Sequence, residues 1–181
     1  MRLRIFQYGS PVLRAKGSRI EQIDDRIRQL AADMIETMRA ANGVGLAAQQ
    51  IGEALQLTVV DVSQVEDRPS TLKLNGQELD PKAVSPLVLI NPEIVLGTEI
   101  ALGVEGCLSF PEITGEIERA ETVNARAQTL DGSTIELEAT GLLARALQHE
   151  VDHLNGILFI DRMNSAAKAA LAWEGCGIGT T

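Results

Sequence analysis

Residues 148–153 read Gln148-His149-Glu150-Val151-Asp152-His153, and their spacing governs how the rest of the chain is read. Four residues make about one helical turn, so on a helix both imidazoles project from one face. Two nitrogens so placed can chelate a single ion, with the intervening Glu150 beside an ion-bound water. His149 and His153 are the only histidines of the chain, so the pair is unlike a random scatter of imidazoles. The flanking residues predict the helix itself. Thr140 stands where a cap is expected, the helix runs from Gly141 to about Leu154, and Asn155-Gly156 stops it.

A catalytic ion needs a third protein ligand and one open position. Three residues are candidates for that ligand: Cys107, Cys176 and Glu174. Cys107 lies in Glu105-Gly106-Cys107-Leu108-Ser109-Phe110-Pro111, a glycine-flanked turn after a strand that can present a thiolate with the next backbone N–H free. Cys176 lies in a glycine-rich tail, a poor platform for a rigid ligand. Glu174 downstream of the two histidines gives a thermolysin-like arrangement. A closed structural zinc site built from Cys107, Cys176, His149 and His153 is a further reading, although the cysteines lack paired-knuckle spacing. Glu105 and Arg119 are expected to form an ion pair that braces the Cys107 turn.

A third segment, Gly43-Val44-Gly45-Leu46-Ala47-Ala48-Gln49-Gln50, combines small residues that admit a close backbone approach with an amide, Gln49 or Gln50, able to donate to a carbonyl oxygen. It lacks the lysine and spacing of a phosphate loop. Before it, apolar residues at Ile27, Leu30, Ala31, Met34, Ile35, Met38 and Ala41 predict an amphipathic helix over 25–42, capped by Asp24 or Asp25. After it, residues 55–62 read as a strand. Residues 63–86 read as a long loop with a short hairpin at Asn75-Gly76. A strand over 87–90 is expected to end at Asn91-Pro92, and another to follow over 93–102. Alternation from Ile117 through Leu137, broken at Asp131-Gly132, predicts a hairpin. A last helix over 165–173 and a frayed tail complete the chain. Helices and strands do not alternate regularly, so the expected class is α+β: a single domain with mixed or antiparallel sheets packed around a central helix carrying the HExxH motif. The catalytic domain is expected over 1–163, with a C-terminal helix and tail over 164–181.

Composition narrows the function classes. Hydrophobic residues make up 45% of the 181 residues and aromatics only 3%, so aliphatic side chains must fill the core and a broad base-stacking platform is excluded. A net charge of −9 opposes non-specific binding to nucleic acid or acidic membranes. Two cysteines fit a reducing compartment. There is no signal-like h-region and no span-length apolar run, so a cytoplasmic protein is expected.

Together, Gly43–Gln50, Glu105–Ser109 and Gln148–His153 resemble the three motifs of the peptide deformylases, in order and with similar spacing, and the resemblance extends from about Ile5 to Met163. It implies a metal-dependent hydrolase that removes the formyl group from the N-terminal formyl-methionine of new polypeptides and releases formate. It implies Cys107, His149 and His153 as ligands, Glu150 as acid and base, Gln50 and the Leu108 N–H as oxyanion donors, and Val44 and Gly45 as partners of the substrate backbone. The implied cofactor is one divalent ion, Fe2+ first, with Zn2+ or Ni2+ as alternatives. The implied partners are N-formylmethionyl peptides and nascent chains at the ribosome, with no sequence-specific nucleic acid and no membrane. The chain departs from relatives at residues 63–86, longer than in many of them, and at Thr114, where some bacterial members carry an arginine.

Overall fold

The computed structural model describes residues 1–164. The helix expected over 165–173, the tail, Glu174 and Cys176 lie outside the described residues. The helix bearing the histidines, α3, spans Gly141–Leu154 and is buried along nearly all its length. Thr140 holds the N-cap position but makes no side-chain cap, contrary to expectation. It ends a strand, and its hydroxyl is bonded to that of Thr71 on the neighbouring strand. The amides of the first turn are satisfied from elsewhere: Leu142 N–H donates to the Pro69 carbonyl (3.1 Å) and Leu143 N–H to the Ser70 hydroxyl (2.9 Å). Gly141 has φ +66°, and a Cβ there would sit 2.1 Å from the Pro69 oxygen, so only glycine fits this junction.

Among the described residues nine strands surround α3: β1 (Gly45–Ala47), β2 (Leu57–Val60), β3 (Ser70–Leu74), β4 (Gln77–Leu79), β5 (Leu87–Leu96), β6 (Ile100–Cys107), β7 (Phe110–Ala120), β8 (Thr122–Gln128) and β9 (Thr134–Thr140). Seven form one sheet in the order β1-β2-β5-β8-β9-β3-β4, and β6 and β7 form a separate hairpin. Every strand pairing is antiparallel. α3 packs against strands of both sheets, while α1 (Asp25–Ala40) covers β1 and β2. The Asp24 carboxylate caps α1 by accepting from Ile27 N–H (3.1 Å). The helix stops two residues before Asn42, which adopts φ +56°, so the left-handed residue at the stop is the asparagine. A short helix, α2 (Pro81–Val84), links β4 to β5.

Three expectations about the strands are corrected. Residues 63–86 are not only a loop: the hairpin at Asn75-Gly76 is built as expected, with both turn residues at positive φ, but β3 also pairs with β9 and so extends the main sheet. Asn91-Pro92 does not end a strand. β5 runs through it, taking up one extra residue between Ile90 and Glu93, a bulge. Asn91 fits because asparagine tolerates its φ of +51° and its side-chain amide replaces the lost ladder bonds, donating to the Ile20 carbonyl and to Gln128 Oε1 (both 2.8 Å). The strand expected over 93–102 is divided at Gly97-Thr98-Glu99 between β5 and β6, which belong to different sheets.

The core is aliphatic, as the composition demands. Leu142, Leu143 and Leu147 of α3 pack with Val60, Leu89, Val123 and Leu137 of the sheet. Met34 and Met38 of α1 pack with Leu46, Leu57 and Val59. Among the described residues, buried aromatics are confined to a small cluster at the end of α3, where Phe110 stacks on Tyr8 and meets Phe159 edge-on. Among the described residues no helix is long and apolar enough to cross a membrane.

Candidate metal centre

Three chain segments distant in sequence converge on one face of α3. His149 and His153 lie a turn apart on it, with their Nε2 atoms 3.2 Å from one another. Cys107 is the last residue of β6, and its Sγ lies 3.3 Å from His153 Nε2. The three donor atoms all fall within 4.8 Å of one another. With bond lengths near 2.0–2.3 Å, neighbouring ligands of a tetrahedral ion stand about 3.4–3.6 Å apart, close to the spacings seen. Burial opposes a charge on His149, but its bonds to Cys107 and Glu105 outweigh burial and push it up to about 10. His153, buried beside that charge, is driven well below the ordinary imidazole value. The buried sulfur and the two imidazoles converge on one point, and this donor set fits iron, zinc or nickel.

The cysteine is held by a charged network of which the sequence signalled one pair. Arg119 on β7 forks onto Glu105, Nε to Oε2 at 2.8 Å and Nη2 to Oε1 at 2.9 Å, and its Nη1 donates to Asp152 on α3 (2.7 Å). Arg145, one turn before His149, donates to Glu105 Oε2 (2.8 Å) and to the Ile117 and Ala101 carbonyls (2.9 Å each). Arg162 closes the cluster on Asp152. Glu105 also bonds His149 Nδ1 at 2.8 Å, which leaves Nε2 for an ion and fixes the ring. Burial would raise the Glu105 carboxyl, yet the Arg119 and His149 bonds hold it well below the usual carboxylate range. Gln148 forks onto both backbone groups of Ala120 (3.0 and 2.9 Å) and docks α3 on β7.

Glu150 lies between the two histidines, 4% exposed, with Oε2 unpartnered among the described residues. Burial pushes its carboxyl up to about 7, where proton uptake and release are balanced near neutrality. The glycines of the 43–50 segment have a reason the sequence did not reveal. A Cβ on Gly43 would meet the Leu108 side chain at 2.6 Å, and one on Gly45 would meet Glu150 Oε1 at 2.5 Å. Gly45→Ala should therefore displace the Glu150 carboxyl and cost about 10²-fold in kcat with little change in thermal midpoint, read by steady-state kinetics beside a melting curve.

Of the two glutamines, Gln50 reaches the site. Its Oε1 accepts from Ala47 N–H (2.9 Å), which turns Nε2 toward Ser109 Oγ (3.1 Å) and Cys107 Sγ (3.6 Å). Gln49 is fully buried and donates to the Ala15 and Leu154 carbonyls, so it ties the chain together. Leu108 follows Cys107 in the turn between β6 and β7. The Val44 carbonyl accepts from Asp61 N–H (2.7 Å). Strand alternation then turns the backbone groups of Gly45 toward the open edge of β1. A cavity of about 500 Å³, lined by Val44, Gly45, Gln50, Cys107, Leu108 and Glu150 among others, opens onto these groups. Sequence reasoning assigned no role to Arg145, Asp152 or Ser109. Arg145 could have been found, since it precedes His149 by the same four-residue step that separates the histidines.

Comparison with known proteins gives one answer. The family model for polypeptide deformylase matches residues 2–169. A peptide deformylase of Opitutus terrae is 47% identical over 173 residues, 94% of this chain and 90% of that protein. Among solved structures, peptide deformylase from Thermotoga maritima aligns at 38% identity with a TM-score of 0.77, covering 91% of this chain and 99% of that one. One from Synechococcus elongatus, solved with actinonin, aligns at 38% identity and a TM-score of 0.82, covering 97% and 89%. The matched length takes in all three segments that meet at the pocket, and the chain belongs to the polypeptide deformylase family, metal-dependent hydrolases that remove the formyl group from the N-terminus of nascent peptides.

Proposed function

We propose that Cys107, His149 and His153 hold a ferrous ion, zinc and nickel being the other ions this donor set accommodates, and that Glu150, Gln50 and the Leu108 N–H perform the deformylation around it. The observation that carries the reading is the approach of the Cys107 sulfur to both imidazoles beside an accessible cavity. When bound, the ion acidifies a water and polarises the formyl oxygen. Glu150 accepts the water's proton and returns it to the departing methionyl amine. As the formyl carbon becomes tetrahedral, Gln50 Nε2 and the Leu108 N–H donate to the oxygen on which negative charge grows. Gly45 offers its backbone to an extended peptide at the edge of β1; Val44 was expected to do the same, but its carbonyl is engaged by Asp61 N–H, so it serves the pocket wall beside Gly45. The substrates are N-formylmethionyl peptides, met as nascent chains at the ribosome in the cytoplasm, and no nucleic acid or membrane takes part.

The direct test is formate release from formyl-Met-Ala by protein purified without oxygen, with metal analysis of the same sample. Formate together with about one equivalent of iron supports the reading; no formate from metal-loaded protein overturns it. Cys107→Ser discriminates further. A hydroxyl is a far poorer ligand than a thiolate, so metal content and turnover should fall together, by more than the about 10–100-fold that loss of an outer partner costs. Glu174→Ala should change neither. The reverse pattern would favour the peptidase-like arrangement.

A further inference from the structure

Resting on the deformylase reading, we propose that Arg68 is a specificity-determining residue that favours peptides carrying an acidic side chain within the few residues after formyl-methionine. Arg68 lines the catalytic cavity, is exposed, and forms no hydrogen bond or ion pair among the described residues. The other charged residues of the cavity wall differ from it. Glu105 and Arg145 are bonded to each other, and Glu150 and His149 belong to the reaction centre. Glu112 is the remaining unpaired charge and comes from a different wall segment, β7. Glu66 and Asp67 precede Arg68 in the chain but do not line the cavity.

Arg68 is also held in place from below. The next two residues, Pro69 and Ser70, receive the first amides of α3, which pins the backbone beside the cavity although the side chain is free. That end of α3 carries the positive pole of the helix dipole, and its first turn holds no acidic residue, so the local field adds to the guanidinium. The net charge of −9 would by itself repel an acidic peptide. At physiological ionic strength, however, charges beyond about 8 Å are largely screened, so the adjacent guanidinium outweighs the distant surface. Segment 63–86 thereby supplies a cation to the site, while position 114 in the same wall is a neutral threonine.

The test compares formyl-Met-Ala-Xaa amides in which Xaa is Glu, Gln or Lys, with the free acid of the Gln peptide as a further arm. In the unaltered enzyme the Glu peptide should exceed the Gln peptide by up to about fivefold in kcat/KM, the range of an exposed ion pair, with the gain in KM and kcat unchanged. R68A should level the two peptides, R68E should reverse their order, and half-molar salt should erase the difference. Equal rates for the Glu and Gln amides in the unaltered enzyme, or the same preference in R68E, would overturn the proposal. So would a gain confined to the free acid, which would assign the effect to a chain terminus that nascent peptides do not present. Absence of formate from all of them would overturn the deformylase reading as well.

Discussion

Glu150→Gln should retain the metal and the fold yet lose formate release by about 10²–10⁴-fold, the usual contribution of a positioned acid and base. The substitution is isosteric in a site where the side chain is 4% exposed, so packing against Gly45 is conserved. It removes the ability to take a proton, because an amide oxygen is too weak a base near pH 7. Oε2 of Glu150 has no partner among the described residues, and the buried carboxyl is already pushed up to about 7. The thermal midpoint should therefore hold or rise, as expected where a site keeps a destabilising group for its chemistry. Metal content, melting temperature and single-turnover formate release on one preparation check the three statements together. A variant that keeps its ion and turns over near the original rate would remove Glu150 from the reaction.

Glu105→Gln should give the largest loss of stability of any single change near the site. Glu105 is 6% exposed and accepts from Arg119, Arg145 and His149 at once. Without its charge, Arg145 loses the carboxylate it pairs with, and Arg119 is left with Asp152, which already bonds Arg162. Breaking a buried pair by removing one partner costs about 3–5 kcal/mol, and for a chain of this size each kcal/mol is worth about 2–4 °C. The midpoint should fall by about 6–20 °C in a calorimetric or fluorescence melt. Metal affinity should fall by about 10–100-fold because His149 Nδ1 loses the acceptor that orients it. A fall of a degree or less would mean that the network is solvated and replaceable.

Much of this was written locally. The period of apolar residues defined α1, the flanking residues marked the bounds of α3, and the four-residue step between histidines placed both imidazoles on one face, because a helix fixes side-chain direction from spacing alone. The turn at Asn75-Gly76 followed from its dipeptide. Where a residue's partner lay far along the chain, local reading failed. Thr140 has the chemistry of a cap, yet a cross-strand hydroxyl claims it and Ser70 caps the helix in its place. Asn91-Pro92 has the chemistry of a stop, yet the asparagine amide bridges Ile20 and Gln128 and carries the strand through.

By itself the sequence determined that two imidazoles and a glutamate share a helical turn, and through its three motifs it pointed to the family. Spacing alone left the third ligand open among Cys107, Cys176 and Glu174, since no periodicity relates β6 to α3, and only the family resemblance implied Cys107. Tertiary packing brings the Cys107 thiol beside the imidazoles, and it gave Gly43 and Gly45 their purpose by setting Leu108 and Glu150 where a Cβ would have stood. The physical reason is range: spacing along a helix or strand dictates which way neighbouring side chains point, whereas the meeting of distant side chains depends on how whole elements stack, and that is settled only when all of them are buried together.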